Sequence, residues 1–205
     1  MKKIIIPLIV AFFVYTIFFK TSSDFENFQS LPKDTKILAF GDSLTYGTGA
    51  TKGKSYPEQL SIILNVNIIK EGIPGEVSEN GLKRLPKLLD KYKPHILLLC
   101  HGGNDILRRK NLDNTKKNIK QMITLAQSKG IKVILIGVPA WEGVFISTAK
   151  MYNELAQEMN IAYEGKSMET IINDGSLKSD NIHPNDKGYT LMAKSIANVI
   201  YKNYP

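Results

Sequence analysis

Four short segments carry residue types that suit acyl transfer. Gly41-Asp42-Ser43-Leu44 follows an apolar run. A serine at a strand-to-helix turn presents its hydroxyl outward, with its own N–H facing the same space. Asp180-Asn181-Ile182-His183-Pro184 joins an acid and an imidazole at close spacing. In a loop that spacing lets a carboxylate hold Nδ1 and leaves Nε2 free as a base. Gly102-Gly103-Asn104-Asp105 follows the most apolar run of the chain. Asn104 can donate a side-chain N–H there, and Asp105 can cap the next segment. Gly72-Ile73-Pro74-Gly75 places glycines where a backbone N–H can approach a ligand. Each segment alone is weak evidence, since Gly-Asp-Ser often makes only a turn and Asp-x-x-His only a polar loop. Together they supply a nucleophile, a base, an orienting acid and oxyanion donors.

The elements that must position these residues alternate between strand and helix. Apolar runs at 36–40, 66–69, 95–100, 132–138 and 162–163 read as strands. The run at 95–100 is continuous, the mark of a strand covered on both faces. Helices are expected at 56–64, with Pro57 in the first turn, and at 114–129, 147–159 and 185–201. Leu82, Leu85, Leu88, Leu89 and Tyr92 also recur at helical spacing, and Pro86 within them predicts a kink or a fresh helix start. Pro184 is expected to open the last helix. Such alternation implies an α/β fold, a three-layer α/β/α sandwich around a mostly parallel sheet of about five strands. Ligands in these sheets bind beyond the carboxyl ends of the strands. Three of the four segments sit there.

These four blocks in this order resemble the SGNH hydrolases, also called the GDSL esterase/lipase family. The resemblance spans roughly residues 36–202 and looks closest to the small bacterial arylesterases, lysophospholipases and acyl-CoA thioesterases. Gly75-Glu76-Val77-Ser78-Glu79-Asn80-Gly81-Leu82 and Pro139 suit that branch. The resemblance implies a serine esterase with Ser43, Asp180 and His183 as catalytic residues. It implies an oxyanion hole from Ser43, Gly75 and Asn104, with Gly72 serving the turn. It also implies that no metal or organic cofactor is needed. Trp141, Val144 and Phe145 follow the fourth strand and offer a wall for an acyl or aryl group. Cys100-His101 departs from the branch, which more often carries an acidic or apolar pair there. His101 is either a packed residue or a second base or substrate contact. Cys100 ends a buried run and should behave as a small hydrophobe.

Composition narrows the setting. The 205 residues are 43% hydrophobic and 22% charged, the balance of one globular domain, which excludes a wholly disordered chain or a polytopic membrane protein. One cysteine excludes an intrachain disulfide, and three histidines leave little for a multi-histidine metal site. Lys2 and Lys3 precede an apolar run at 4–19 that ends at Lys20. This reads as an N-terminal hydrophobic helix, a signal peptide or signal anchor within residues 1–23. The run is slightly short of the roughly 20 residues that span a bilayer, and flanking lysines can snorkel to make up the length. Residues 24–35 read as a tether and 36–205 as the domain, exported and either membrane-anchored or secreted. The net charge of +8 is scattered along helices, and nothing resembles a nucleic-acid motif. The expected partner is a small-molecule or lipid ester, with membrane contact through the N-terminal segment. Two other readings are an envelope polysaccharide O-deacetylase using the same triad and a surface binding module with the triad idle.

Overall fold

The runs that read as strands pair into one sheet. The computed structural model describes residues 31–142 and 145–204. In it β1 (Ile37–Gly41), β2 (Ile68–Gly72), β3 (Ile96–Cys100), β4 (Lys132–Ile136) and, after a hairpin, β7 (Ala162–Glu164) stand in the order β2-β1-β3-β4-β7. Every neighbouring pair is parallel. β1 and β3 are buried along their whole length, which explains their unbroken apolar sequence. The hairpin, β5 (Pro139–Glu142) with β6 (Phe145–Thr148), forms a separate antiparallel pair.

Helices cover the sheet. α1 (Ser43–Tyr46) follows β1, and α2 (Tyr56–Leu64) packs on the last helix, α8 (Asp186–Asn203). α3 (Ser78–Tyr92) packs on α5 (Leu112–Ser128), and α6 (Lys150–Glu158) lies beside α5 and β4. α4 (Gly103–Leu107) and α7 (Ser167–Asn173) are short and border the hairpin. The result is the expected three-layer α/β/α sandwich. Local signals account for the starts. Glu58 accepts the Ser55 N–H at 3.0 Å to close a capping box on α2, and Asn185 caps α8 by accepting from the N–H groups of Lys187 and Gly188.

Several sequence expectations need correction. Pro86 does not open a fresh helix: α3 continues through it, with Leu85, Leu88 and Leu89 burying the turns around it in the core. β2 lies at 68–72 rather than 66–69: it is an edge strand that carries Lys70 and Glu71, and their charge masks it. The helix expected at 147–159 begins only at Lys150. Ser147 and Thr148 belong to β6, where Thr148 bonds both Glu169 and the Gly165 carbonyl. Pro184 does not open α8 but pairs with Lys178 in a bridge, and Asn185 takes the capping place. Leu31 and Thr35, expected in a tether, are buried against the domain. The expected N-terminal hydrophobic helix lies outside the described residues. Among the described residues, no helix is long and apolar enough to cross a membrane.

Candidate active site

Register brings the first three segments to one edge. Gly41 stands beside Gly72 of β2 and Cys100 of β3, so the chain leaves all three strands at the same level. The strand order reverses around β1 and β3, the place where open α/β sheets bind ligands. Ser43 therefore emerges between the 73–75 loop and Asn104. Gly72 is required by crowding: a Cβ there would lie 2.2 Å from the Tyr46 backbone nitrogen in the serine turn.

The fourth segment arrives from the loop before α8. His183 Nε2 lies 3.0 Å from Ser43 Oγ, and its Nδ1 lies 2.8 Å from Asp180 Oδ2. The other carboxylate oxygen, Oδ1, accepts the backbone N–H groups of Ile182 and His183, both at 2.8 Å. The aspartate thus folds its own loop and aims the imidazole at once. Its slight burial pushes the carboxyl up, but those N–H groups and His183 outweigh that, and the net position is below the usual aspartate range. With the Nδ1 proton held by Asp180, Nε2 is left to accept from the serine hydroxyl.

Candidate donors come from the three loops that leave this edge. As the first residue of α1, Ser43 has an N–H without an intrahelical acceptor. Gly75 adopts φ +77°, a left-handed conformation that favours glycine, and its carbonyl accepts from Arg108 at 2.9 Å. Among the described hydrogen bonds, none takes the Gly75 N–H. Asn104 Nδ2 donates to Asp42 Oδ2 and to the Glu76 carbonyl, both at 3.1 Å. Asp42 is almost fully buried, which pushes its carboxyl up despite nearby His101 and the Leu44 N–H.

The structure also decides the roles left open around this edge. Asp105 does not cap the segment that follows it, where Asn111 takes the capping place. It accepts the N–H and hydroxyl of Ser78, both at 2.8 Å, and so ties α4 to the start of α3. His101 is fully buried and bonds Glu76 at 3.2 Å, so it is a packed residue rather than a second base. Cys100 is buried too, and burial pushes its thiol well above the usual range. Val144 and the side chains of Trp141 and Phe145 lie outside the described residues. Among the described residues, Leu44, Leu107, Val138, Ile146, Met168 and Ile172 form an apolar wall around a cavity of about 60 Å³ that also touches Ser43, Asn104 and His183. Met168 and Ile172 sit on α7, which sequence reasoning did not propose, although Met168, Ile171 and Ile172 have helical spacing. The larger concavity, about 790 Å³, opens at the other end of the sheet, near Leu89, His95, Lys132 and Tyr204, away from the serine and its partners.

Residues 39–191 match the GDSL-like Lipase/Acylhydrolase family. The chain is 30% identical to an "Arylesterase" of Vibrio mimicus, over 82% of this chain and 89% of that protein. It is 28% identical to "Thioesterase 1/protease 1/lysophospholipase L1" of Escherichia coli (strain K12), over 83% of this chain and 85% of that one. Among solved structures, AlinE4, an SGNH-hydrolase family esterase, is 29% identical with a TM-score of 0.65, covering 86% of this chain and all of its own. The psychrotrophic esterase EstA from Pseudoalteromonas sp. has a TM-score of 0.74 at 23% identity over 82% of this chain and 98% of its own, a likeness of fold.

Proposed function

The chain belongs to the GDSL-like lipase/acylhydrolase family and is a carboxylic ester hydrolase, and from that premise we propose that it cleaves short-chain and aryl esters through an acyl-enzyme on Ser43. The observation that carries this is the unbroken chain Ser43 Oγ to His183 Nε2 at 3.0 Å and His183 Nδ1 to Asp180 at 2.8 Å. His183 takes the hydroxyl proton as Ser43 attacks the carbonyl carbon. Asp180 keeps the imidazole in the right tautomer and stabilises its charged form. The C–O bond of the tetrahedral adduct breaks, and His183 returns the proton to the departing alcohol. Water then attacks the acyl-enzyme by the same route and frees the acid and Ser43.

The oxyanion is received by the N–H groups of Ser43 and Gly75 and by the Asn104 amide. Losing one such donor typically costs about 3–4 kcal/mol of transition-state stabilisation. Both Asn104 amide hydrogens already have acceptors, so the oxyanion shares one of them in a three-centre bond. The small apolar recess beside Ser43 supports a short acyl group, and the similarity to an arylesterase supports an aryl leaving group. Nitrophenyl acetate, butyrate and octanoate test this. Falling kcat/KM with acyl length supports the reading. A rise toward octanoate would overturn it in favour of long-chain lipid esters such as lysophospholipids.

The same proposal places the domain outside the cytoplasm, with residues 1–23 as signal peptide or signal anchor. The lysine pair and the apolar run after it support this reading. Fractionation of cells carrying a C-terminal tag checks it, and a tag in the soluble cytoplasm would overturn it.

A further inference from the structure

Behind the proposed oxyanion hole lies a charged cluster that the reaction above does not use. Glu76 follows Gly75 directly and is 9% exposed. Arg84, from α3, grips its carboxylate with both prongs: Nε to Oε1 at 3.0 Å and Nη2 to Oε2 at 2.6 Å. That fork geometry is specific to guanidinium and carboxylate. Arg84 Nη2 also reaches the Glu71 carbonyl at 3.3 Å and the Gly41 carbonyl at 3.5 Å, the ends of β2 and β1. The guanidinium lies 4.3 Å from the centroid of the Phe40 ring, which closes off one face.

His101 meets the same carboxylate from the end of β3. Its Nδ1 accepts the Gly102 N–H at 3.1 Å, so the ring proton lies on Nε2 and points to Glu76 Oε2 at 3.2 Å. The ring is fully buried against Phe40, and Gly81 of α3 makes room for it: a Cβ there would lie 2.3 Å from Nε2. Glu76 therefore faces fixed donors on both sides. Only a group that accepts without donating satisfies both.

The backbone of the same residue borders the reaction site. The Glu76 carbonyl accepts from Asn104 Nδ2 at 3.1 Å, and its N–H bonds the Ile73 carbonyl at 3.1 Å across the turn that holds Gly75. We infer that Glu76 is the positioning residue of the oxyanion hole, its carboxylate locked by Arg84 and His101 so that the Gly75 N–H and the Asn104 amide are held at the serine. This rests on the reading of Gly75 and Asn104 as oxyanion donors.

The test compares the full chain with Glu76→Gln and Arg84→Lys, each followed by circular dichroism and by steady-state hydrolysis of nitrophenyl acetate. Glu76→Gln turns an N–H₂ toward a donor. Arg84→Lys keeps a cation but loses the fork. The expected result is a fall in kcat of about 10- to 100-fold for Glu76→Gln, below the roughly 10²–10³ for outright loss of a donor. Arg84→Lys loses less. KM stays near wild type in both, while Ki for phenylboronic acid, which forms a tetrahedral adduct on the serine, rises in step with the fall in kcat. Wild-type kcat and Ki in folded variants of an active enzyme would overturn this inference alone. So would a loss that vanishes when rates are scaled to the folded fraction, the mark of a merely structural role. A wild-type chain without Ser43-dependent hydrolysis would overturn the hole and this inference together.

Discussion

Asp180→Asn separates orientation from charge. Oδ1 of Asp180 is engaged by two backbone N–H groups at 2.8 Å, so an asparagine at this position keeps its carbonyl oxygen there. Its amide N–H₂ then faces His183 Nδ1, where Oδ2 now sits at 2.8 Å. The imidazole must accept from it, which moves the ring proton to Nε2, against Ser43. In that tautomer His183 cannot take the serine proton. Recovering the active tautomer requires turning the amide over and leaving two N–H donors without an acceptor. At about 1–3 kcal/mol per unsatisfied group, that is about 2–6 kcal/mol, or roughly 30- to 10⁴-fold in rate. The Asp180 side chain is 52% exposed, so water relieves part of the cost. The expected loss is therefore about 10²–10³-fold in kcat, read from saturating nitrophenyl acetate at several pH values, with KM little changed. Asp180→Ala, which imposes no tautomer, is expected to retain more activity than Asp180→Asn in the folded enzyme. A kcat for Asp180→Asn within tenfold of wild type, or above that of Asp180→Ala, would refute the reasoning.

Other consequences are direct. Gly75→Ala forces a side chain into left-handed backbone at about 1–2 kcal/mol, so denaturant unfolding should show a loss of that size while kcat falls by more than the stability change explains. Glu76 is expected to stabilise the fold in a pH-dependent way. Burial raises its carboxyl, but His101 and Arg84 outweigh this and bring it below its ordinary value of 4.5. The native state then binds fewer protons than the unfolded chain, so the stabilisation is complete above about 4.5 and disappears as pH falls through the lower native value. The stability gap between wild type and Glu76→Gln should accordingly narrow from neutral to acidic pH in urea titrations, and a gap independent of pH would contradict the ion pair. Cys100, buried with its thiol pushed up, should resist iodoacetamide in the native enzyme and react only in denaturant, with activity untouched by the reagent.

The residues proposed as catalytic are more legible in the sequence than the walls around them. Ser43, Gly75, Asn104 and His183 follow strands or precede a helix, and parallel register alone brings the first three together. Their spacing can therefore be read without knowing any packing. The bounds of β2 are hidden because an edge strand tolerates Lys70 and Glu71, so hydrophobicity does not mark its end. The second strand of the β5–β6 hairpin resembles the start of a helix because its tertiary partners, Glu169 and the Gly165 carbonyl, lie well away along the chain. Pro86 suggests a fresh helix start that does not occur, since a helix anchored by buried leucines on both sides tolerates a proline. The Glu76–Arg84–His101 cluster has no sequence period at all. It joins a loop, a helix and a strand end that only the fold brings together.

The proposed mechanism depends on Ser43 as a nucleophile activated by His183. The direct measurement is intact mass after reaction with a fluorophosphonate, run beside ester hydrolysis, on wild type and Ser43→Ala. The expected result is a single adduct on Ser43 in the wild type, and neither adduct nor hydrolysis in the variant. Hydrolysis by Ser43→Ala at the wild-type rate, or an adduct on another residue, would contradict it.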